Sequence, residues 1–321
     1  MTATAPMTPP RAPPHVFFNS SVNSPDVWRA ALALQLGDFR FTVGPDCADP
    51  DTVDVALVLR PPPQGLAVFR NLRAVIALSA GVNQFSADML PAGVPLSRAV
   101  DPTLTEHMVS YAKAAVYRYH RRFDRFERDT RAGLWRFEAA KLNRQTTVGI
   151  LGLGELGSAI AQALAADGFR VEGWSRSPKP LGAVRSHAGD AGLQAMLPGV
   201  DIVINMLPLT EATTGLLSKK LFASFREGAY LVNMGRGKHL IEDDLLAALA
   251  TGRIGGATLD VTQVEPLPAG HPFWGHPAVL ITPHVAGIIS PDSAAQQVAE
   301  NIRRAVRGER LLNQVDLAKG Y

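Results

Sequence analysis

The chain has 321 residues, 46% hydrophobic and 19% charged, an ordinary globular balance in a length that suits two domains. Its formal net charge of +3, from 32 Lys and Arg against 29 Asp and Glu, is too small and too dispersed to call for a nucleic-acid partner. No apolar run approaches the roughly 18 residues of a membrane span, and the single cysteine, Cys47, rules out an intrachain disulfide and a cysteine metal cluster.

Residues 1–14, MTATAPMTPPRAPP, are proline-rich and lack the apolar core of a signal peptide. A disordered tail and a cytoplasmic protein are therefore expected. His15 to Phe18 reads as a strand, and Ser24-Pro25 opens a helix to about Leu36. Val53 to Leu59 and Arg73 to Leu78 are apolar strands. Strands alternating with helices predict a parallel sheet, whose ligands bind beyond the carboxyl ends of the strands. Two segments lie there. Arg60-Pro61-Pro62-Pro63 follows one strand, and Arg60 reads as exposed rather than as a substrate cation. Ser79-Ala80-Gly81-Val82-Asn83 follows the next; it either offers backbone N–H groups to a carboxylate or is a simple strand-to-helix turn.

Val100-Asp101-Pro102 reads as a crossing point. Beyond it, Thr105 to about Arg128 reads as one long helix with Met108, Tyr111, Ala115 and Tyr119 on one face. The charged run Arg118 to Arg131 reads as its solvated side. An aromatic loop, Gly133-Leu134-Trp135-Arg136-Phe137, follows. Helix and loop together, about residues 103–145, predict an arm for a homodimer, with Trp135 in packing or interface rather than chemistry.

Next comes the most informative stretch. Val148 to Leu151 reads as a buried strand, and Gly152, Gly154 and Gly157 follow in the G-x-G-x-x-G spacing. Leu156, Ile160 and Leu164 recur at helical spacing, Gly168 ends that helix, and Arg170 to Trp174 is a second strand. Strand, glycine turn, helix and strand within about 30 residues predict a dinucleotide site. Gly152 permits the tight turn, Gly154 lets the backbone approach a pyrophosphate, and Gly157 allows close packing of helix on strand. The helix N-terminus at Glu155 and Leu156 directs amides at the anion. At the end of the second strand an NAD enzyme usually carries Asp or Glu. Here stand Ser175, Arg176, Ser177, Pro178 and Lys179, which suit a 2′-phosphate, so NADP is favoured over NAD.

The alternation continues through a strand Asp201 to Met206 ending in Leu207 and Pro208, and another, Tyr230 to Asn233, ending in Met234-Gly235-Arg236-Gly237. Glu242-Asp243-Asp244 opens a helix that Gly252 ends. Ala257 to Asp260 and Val279 to Ile281 are further strands, the last leading to Thr282-Pro283-His284, and Pro291 opens a helix to about Arg307. Arg236, Glu265 and His284 thus fall just beyond strand ends of one sheet, on the edge expected for the dinucleotide. They supply what reduction of a 2-oxo acid needs. A guanidinium can hold a carboxylate bidentately, an imidazolium can protonate the carbonyl oxygen, and a carboxylate can orient the imidazole. Asp260 is placed to contact the nicotinamide side. No metal site is expected.

The segments GILGLGELGSAIA, WSRS, INMLPLT, LVNMGRG, EDDLLAAL, LDVTQVEPLP, FWGHP, ITPHVAG and NQVDLAKGY carry a resemblance to the D-2-hydroxyacid dehydrogenases, and within them to the glyoxylate/hydroxypyruvate reductase A group. The first hundred residues match more loosely, through LVLRPPP and SAGVN. The resemblance implies two doubly wound parallel-sheet domains. One is a flavodoxin-like substrate domain, residues 15–100 with 288–321; the other is a Rossmann domain, residues 101–287. It places the family's catalytic Arg, Glu and His on Arg236, Glu265 and His284. Its substrate-carboxylate loop falls on Ala80, Gly81 and Val82. NADPH-dependent reduction of glyoxylate and hydroxypyruvate is the implied activity. Alternatives are a dehydrogenase for a bulkier 2-oxo acid such as phenylpyruvate and a non-enzymatic, dinucleotide-sensing corepressor. The chain departs from the pattern at Asn83, where the family often has Asp, and at Leu59, where the group often has Trp.

Overall fold

Apolar runs of four or five residues with no polar face become strands covered on both sides, and such strands form the centre of each sheet of this protein. The computed structural model describes residues 13–79, 81–82 and 84–316, and the chain falls into two compact units, residues 1–104 with 288–321 and residues 105–287.

In the first unit, β1 (His15–Asn19), β2 (Arg40–Val43), β3 (Val55–Val58), β4 (Ala74–Ala77) and β5 (Leu96–Arg98) pair in parallel in the order β2-β1-β3-β4-β5. This is the flavodoxin-like order. One face packs on α1 (Pro25–Leu36) and the last helix, α8 (Pro291–Arg307), through Val16, Trp28, Leu32, Leu57, Val298 and Ile302. The alternate strand residues Phe17, Val58 and Val75 fill the other face together with Phe69 from the loop between β3 and β4. Pro sits in the first turn of both helices, and Gly37 and Gly308 leave them at φ 75°.

The second unit starts with α2 (Leu104–His120) and α3 (Phe123–Arg131). These replace the single helix expected over 105–128. Arg122 adopts φ 62°, a left-handed turn that breaks the helix although nothing in the local propensity asks for it. Tertiary contacts set the break. Tyr119 stacks on Tyr230 with centroids 4.1 Å apart, the Tyr230 hydroxyl donates to Asp124 Oδ2 at 3.2 Å, and Arg122 and Arg125 both pair with Glu138.

The remaining elements are β6 (Thr147–Leu151), α4 (Glu155–Ala166), β7 (Arg170–Ser175), β8 (Arg185–Ala188), α5 (Gly189–Met196), β9 (Ile202–Asn205), α6 (Lys219–Phe222), β10 (Ala229–Asn233), α7 (Glu242–Ala250), β11 (Ile254–Leu259) and β12 (Val279–Ile281). The seven strands are parallel in the order β12-β11-β10-β9-β6-β7-β8. Strand order reverses between β6 and β9, which is where a doubly wound sheet opens a crevice beyond its carboxyl edge. The doubly wound expectation thus holds in both units. Among the described residues, no helix is long and apolar enough to cross a membrane.

Candidate active site

The site builds up from the glycine turn after β6. Gly152 sits at φ 102°, and a Cβ there would meet the Met206 carbonyl oxygen at 2.9 Å. At Gly157 a Cβ would lie 1.9 Å from the Gly152 oxygen, so only glycine lets α4 start this close to β6. Gly154 is different: a Cβ there meets nothing within 4 Å. Protein packing therefore does not require glycine there, and the open space leaves room for the backbone to approach a pyrophosphate. The Ser158 amide is the first in α4 to reach back, to the Gly154 oxygen at 2.9 Å. The amides of Glu155, Leu156 and Gly157 precede it and belong to the helix N-terminus that favours an anion. The residues present fit a dinucleotide.

Beyond β7, the Ser175 hydroxyl donates to the Ser177 oxygen at 2.7 Å, and Arg176 and Ser177 are exposed. Lys179 reaches further than its spacing suggests: its ammonium donates to the Leu153 oxygen at 2.6 Å, inside the glycine turn. No carboxylate stands in the 175–179 stretch. Beyond β9, Leu207 is buried and its amide meets Asn205 Oδ1 at 3.3 Å, while the Pro208 oxygen accepts from Thr213 Oγ1 at 2.7 Å.

Arg236, Glu265 and His284 each follow a strand of this sheet, β10, β11 and β12 respectively. His284 Nδ1 lies 2.9 Å from Glu265 Oε2. Glu265 Oε1 accepts from the Thr262 amide at 3.3 Å, which fixes the carboxylate. His284 is 45% exposed at the side chain, so its ring is held at one nitrogen and open to solvent elsewhere. Burial pulls the Arg236 guanidinium below its ordinary range, while the Glu265 charge acts in the opposite sense. Its Nη1 donates to the Gly235 oxygen at 2.7 Å.

Asp260, expected toward the nicotinamide, is buried and turned into the His284 loop. Its Oδ1 accepts from Thr282 Oγ1 at 2.6 Å and from the Val285 amide at 2.8 Å, and its Oδ2 from the Ala286 amide at 2.9 Å. Tyr111 meets Thr282 Oγ1 at 2.6 Å, and burial raises its phenol well above the usual range, so it serves as a neutral hydroxyl. Among the described residues, no group of three or more His, Cys, Asp or Glu is arranged to hold a metal ion.

In the first unit, Gly81 and Val82 follow β4. The Ser79 hydroxyl donates to the Gly81 oxygen at 2.7 Å, and Gln84 Nε2 donates to Ser79 Oγ at 2.7 Å and to the Leu59 oxygen at 3.0 Å. Arg60 is exposed, as is Trp135 in the second unit. Ala80 and Asn83 lie outside the described residues.

Sequence reading named Lys179 but not its contact with the Leu153 oxygen, and it missed a buried trio, Asn205, Asn233 and His239. The Asn pair had a signal: each is the last residue of a strand that is otherwise apolar, in INML and LVNM. His239 had none.

Residues 114–286 match the family model of the D-isomer specific 2-hydroxyacid dehydrogenase NAD-binding domain. The chain is 44% identical over 313 residues to a glyoxylate/hydroxypyruvate reductase A of Serratia proteamaculans (strain 568), covering 96% of this chain and 98% of that one. Among solved structures, it resembles a D-isomer specific 2-hydroxyacid dehydrogenase from Xanthobacter autotrophicus Py2 in complex with NADPH and MES, with TM-score 0.84, 42% identity and coverage of 97% and 100%. It also resembles an NADPH-dependent glyoxylate/hydroxypyruvate reductase from Sinorhizobium meliloti in complex with NADP and sulfate, with TM-score 0.84, 33% identity and coverage of 96% and 100%.

Proposed function

Because the chain belongs to the D-isomer specific 2-hydroxyacid dehydrogenase family, we propose that it reduces glyoxylate to glycolate and hydroxypyruvate to D-glycerate, with NADPH favoured over NADH. The reaction takes up a 2-oxo acid, NADPH and a proton, and releases a 2-hydroxy acid and NADP. When bound, the cofactor supplies a hydride to the carbonyl carbon. The chain's own residues do the rest. Gly152, Gly154 and Gly157 with the amides at Glu155 and Leu156 hold the pyrophosphate; Ser175, Arg176 and Ser177 hold the 2′-phosphate. Leu207 and Pro208 flank the cofactor. Asp260, expected to contact the nicotinamide side, instead holds the loop that carries His284.

Arg236 pairs with the substrate carboxylate through its planar fork. Gly81 and Val82 are proposed to offer backbone N–H groups to a carboxylate. His284 gives a proton from Nε2 to the oxygen that becomes the hydroxyl, and Glu265 orients the ring through Nδ1. The 2.9 Å contact between His284 Nδ1 and Glu265 Oε2 carries this reading, because it leaves Nε2 as the nitrogen available for transfer. Steady-state NADPH oxidation with glyoxylate, hydroxypyruvate and phenylpyruvate tests it. Turnover with the first two is expected. A preference for phenylpyruvate would favour the bulkier-substrate alternative, which the smaller Leu59 supports, and no turnover with any 2-oxo acid would favour a non-enzymatic sensor.

A homodimer built on the arm belongs to the same proposal. Its support is a cluster of apolar side chains in water, with Trp135 98% and Phe137 92% exposed and Leu134 and Leu142 about half exposed. A groove of about 720 Å³ lined by Tyr117, Phe123, Phe126 and Thr130 adjoins α2 and α3. A monomeric mass by sedimentation would end it. The cytoplasm is the proposed compartment, since the reaction draws on NADPH.

A further inference from the structure

Behind Arg236 lies a polar cluster with no access to water. Asn205 ends β9, Asn233 ends β10 in direct register with it, and His239 lies further along the β10 loop; all three are 0% exposed. Burying polar side chains is costly unless each finds partners, and each does here. Asn205 Nδ2 donates to Asn233 Oδ1 at 2.9 Å and lies 2.9 Å from His239 Nδ1. The Arg236 amide donates to the same Nδ1 at 3.1 Å, and Asn233 Nδ2 donates to the Arg236 oxygen at 3.2 Å. On the other side of the ring, His239 Nε2 lies 3.2 Å from the Pro208 oxygen.

The network leaves His239 one arrangement. Two N–H groups point at Nδ1, so Nδ1 accepts; a carbonyl faces Nε2, so Nε2 carries the proton. The ring is neutral, and burial, reinforced by the Arg236 charge, pushes its pKa down. Gly235 is required for this approach: a Cβ there would lie 2.8 Å from Asn205 Nδ2 and 3.0 Å from His239 Nδ1.

We propose that His239 is a positioning residue that couples the substrate clamp to the cofactor loop. Through Nδ1 it fixes the backbone of Arg236, and through Nε2 it ties down the Pro208 carbonyl of the loop after β9. The inference rests on Arg236 as the carboxylate clamp and on the reductase reading above.

Half-replacements of the ring separate its two tasks in the full-length enzyme. His239→Asn keeps an acceptor where Nδ1 stands and loses the Nε2 donor. His239→Gln keeps a donor near Nε2 and loses the Nδ1 acceptor. His239→Gln is expected to raise KM for glyoxylate about tenfold, the effect of one hydrogen bond. His239→Asn should rescue most of that loss and instead raise KM for NADPH. Gly235→Ala, which keeps the imidazole but crowds it, should reproduce the glyoxylate defect if the His239 variants do not fold. Equal effects of Asn and Gln on both KM values, or a fall in kcat alone, would reduce His239 to packing. Calorimetric titration with oxalate and with NADPH needs no turnover, so it keeps the two readings apart. If wild type is inactive yet binds oxalate, the reductase reading fails. The positioning role then stands only if His239→Gln weakens oxalate and His239→Asn weakens NADPH. A wild type that binds neither overturns both.

Discussion

His284 is held at φ 57°, a left-handed conformation that costs a non-glycine residue on the order of 1–3 kcal/mol and persists only where the surroundings over-determine it. Those surroundings are visible. The His284 amide donates to the Asp260 and Thr282 oxygens, both at 2.9 Å, and the next two amides donate to the Asp260 carboxylate. Such a backbone fixes where the His284 ring can reach, which its proposed role as proton donor calls for. We therefore expect His284→Ala to lower kcat for glyoxylate by about 10²–10⁴-fold with NADPH binding kept, as read by nucleotide fluorescence. Turnover near wild type would remove His284 from the chemistry. Arg236→Lys should not be conservative, since an ammonium has no planar fork for a carboxylate. Its loss is expected in kcat/KM for the 2-oxo acid, with NADPH affinity little changed; the reverse pattern would move Arg236 to the cofactor.

At the scale of elements, the turn that ends β7 is where we expect the choice of nucleotide to be made. Arg176 and Ser177 stand exposed there, Lys179 is anchored on the Leu153 oxygen at 2.6 Å, and no carboxylate is present to accept from ribose hydroxyls. Charge-assisted hydrogen bonds contribute about 1.5–3 kcal/mol each, so one or two to a 2′-phosphate give at least about a tenfold preference for NADPH. Ser175→Asp with Arg176→Ala should reverse the ratio of kcat/KM values for NADPH and NADH at saturating glyoxylate. An unaltered ratio would show that the turn does not touch the 2′ position. This turn and the glycine turn were legible in the sequence because short-range geometry dictates them: only glycine survives 1.9 Å from the Gly152 oxygen. Central strands were legible because their runs are continuously apolar. The strands that escaped, β2, β5 and β8, all lie at sheet edges, where fewer positions are buried and RFTV, LSR and RSHA show no apolar run. Arg236, Glu265 and His284 were legible as polar residues at strand ends. The trio behind Arg236 was not legible as a trio: each Asn ends an apolar strand, but that Asn205 and Asn233 meet depends on the register of β9 on β10.

At the scale of the whole molecule, buried histidines in both units make the fold sensitive to acid. His15 in the first unit and His120 and His239 in the second all have pKa values pushed below the ordinary 6.5, in each case first by burial and further by a neighbouring cation, Arg40, Arg121 and Arg236 respectively. Each is neutral when folded and takes up a proton more readily when unfolded. Between the lowered pKa and 6.5 the unfolded chain binds more protons, so stability is full above about pH 6.5 and falls as pH drops below it. Asp101 adds a second window. Burial alone would raise its carboxyl, but donors from Ser293, Ser290 and Thr103 outweigh burial and hold it below the ordinary 3.8. Its contribution is present above about pH 3.8 and is lost as pH falls through the depressed value. Urea midpoints should therefore be level from about pH 8 to 7, decline below about 6.5, and fall again in the carboxylate range. Trp28, fully buried and the single tryptophan of the first unit, reports that unit by difference against Trp28→Phe. His15 takes hydrogen bonds from Thr52 and Thr42 at 2.9 and 2.8 Å or gives them, depending on tautomer, and His15→Asn should flatten the decline in the Trp28 signal alone. A Trp28 transition with the same slope between pH 6.5 and 5 in wild type and in His15→Asn would show that the buried imidazole does not set the acid response of that unit.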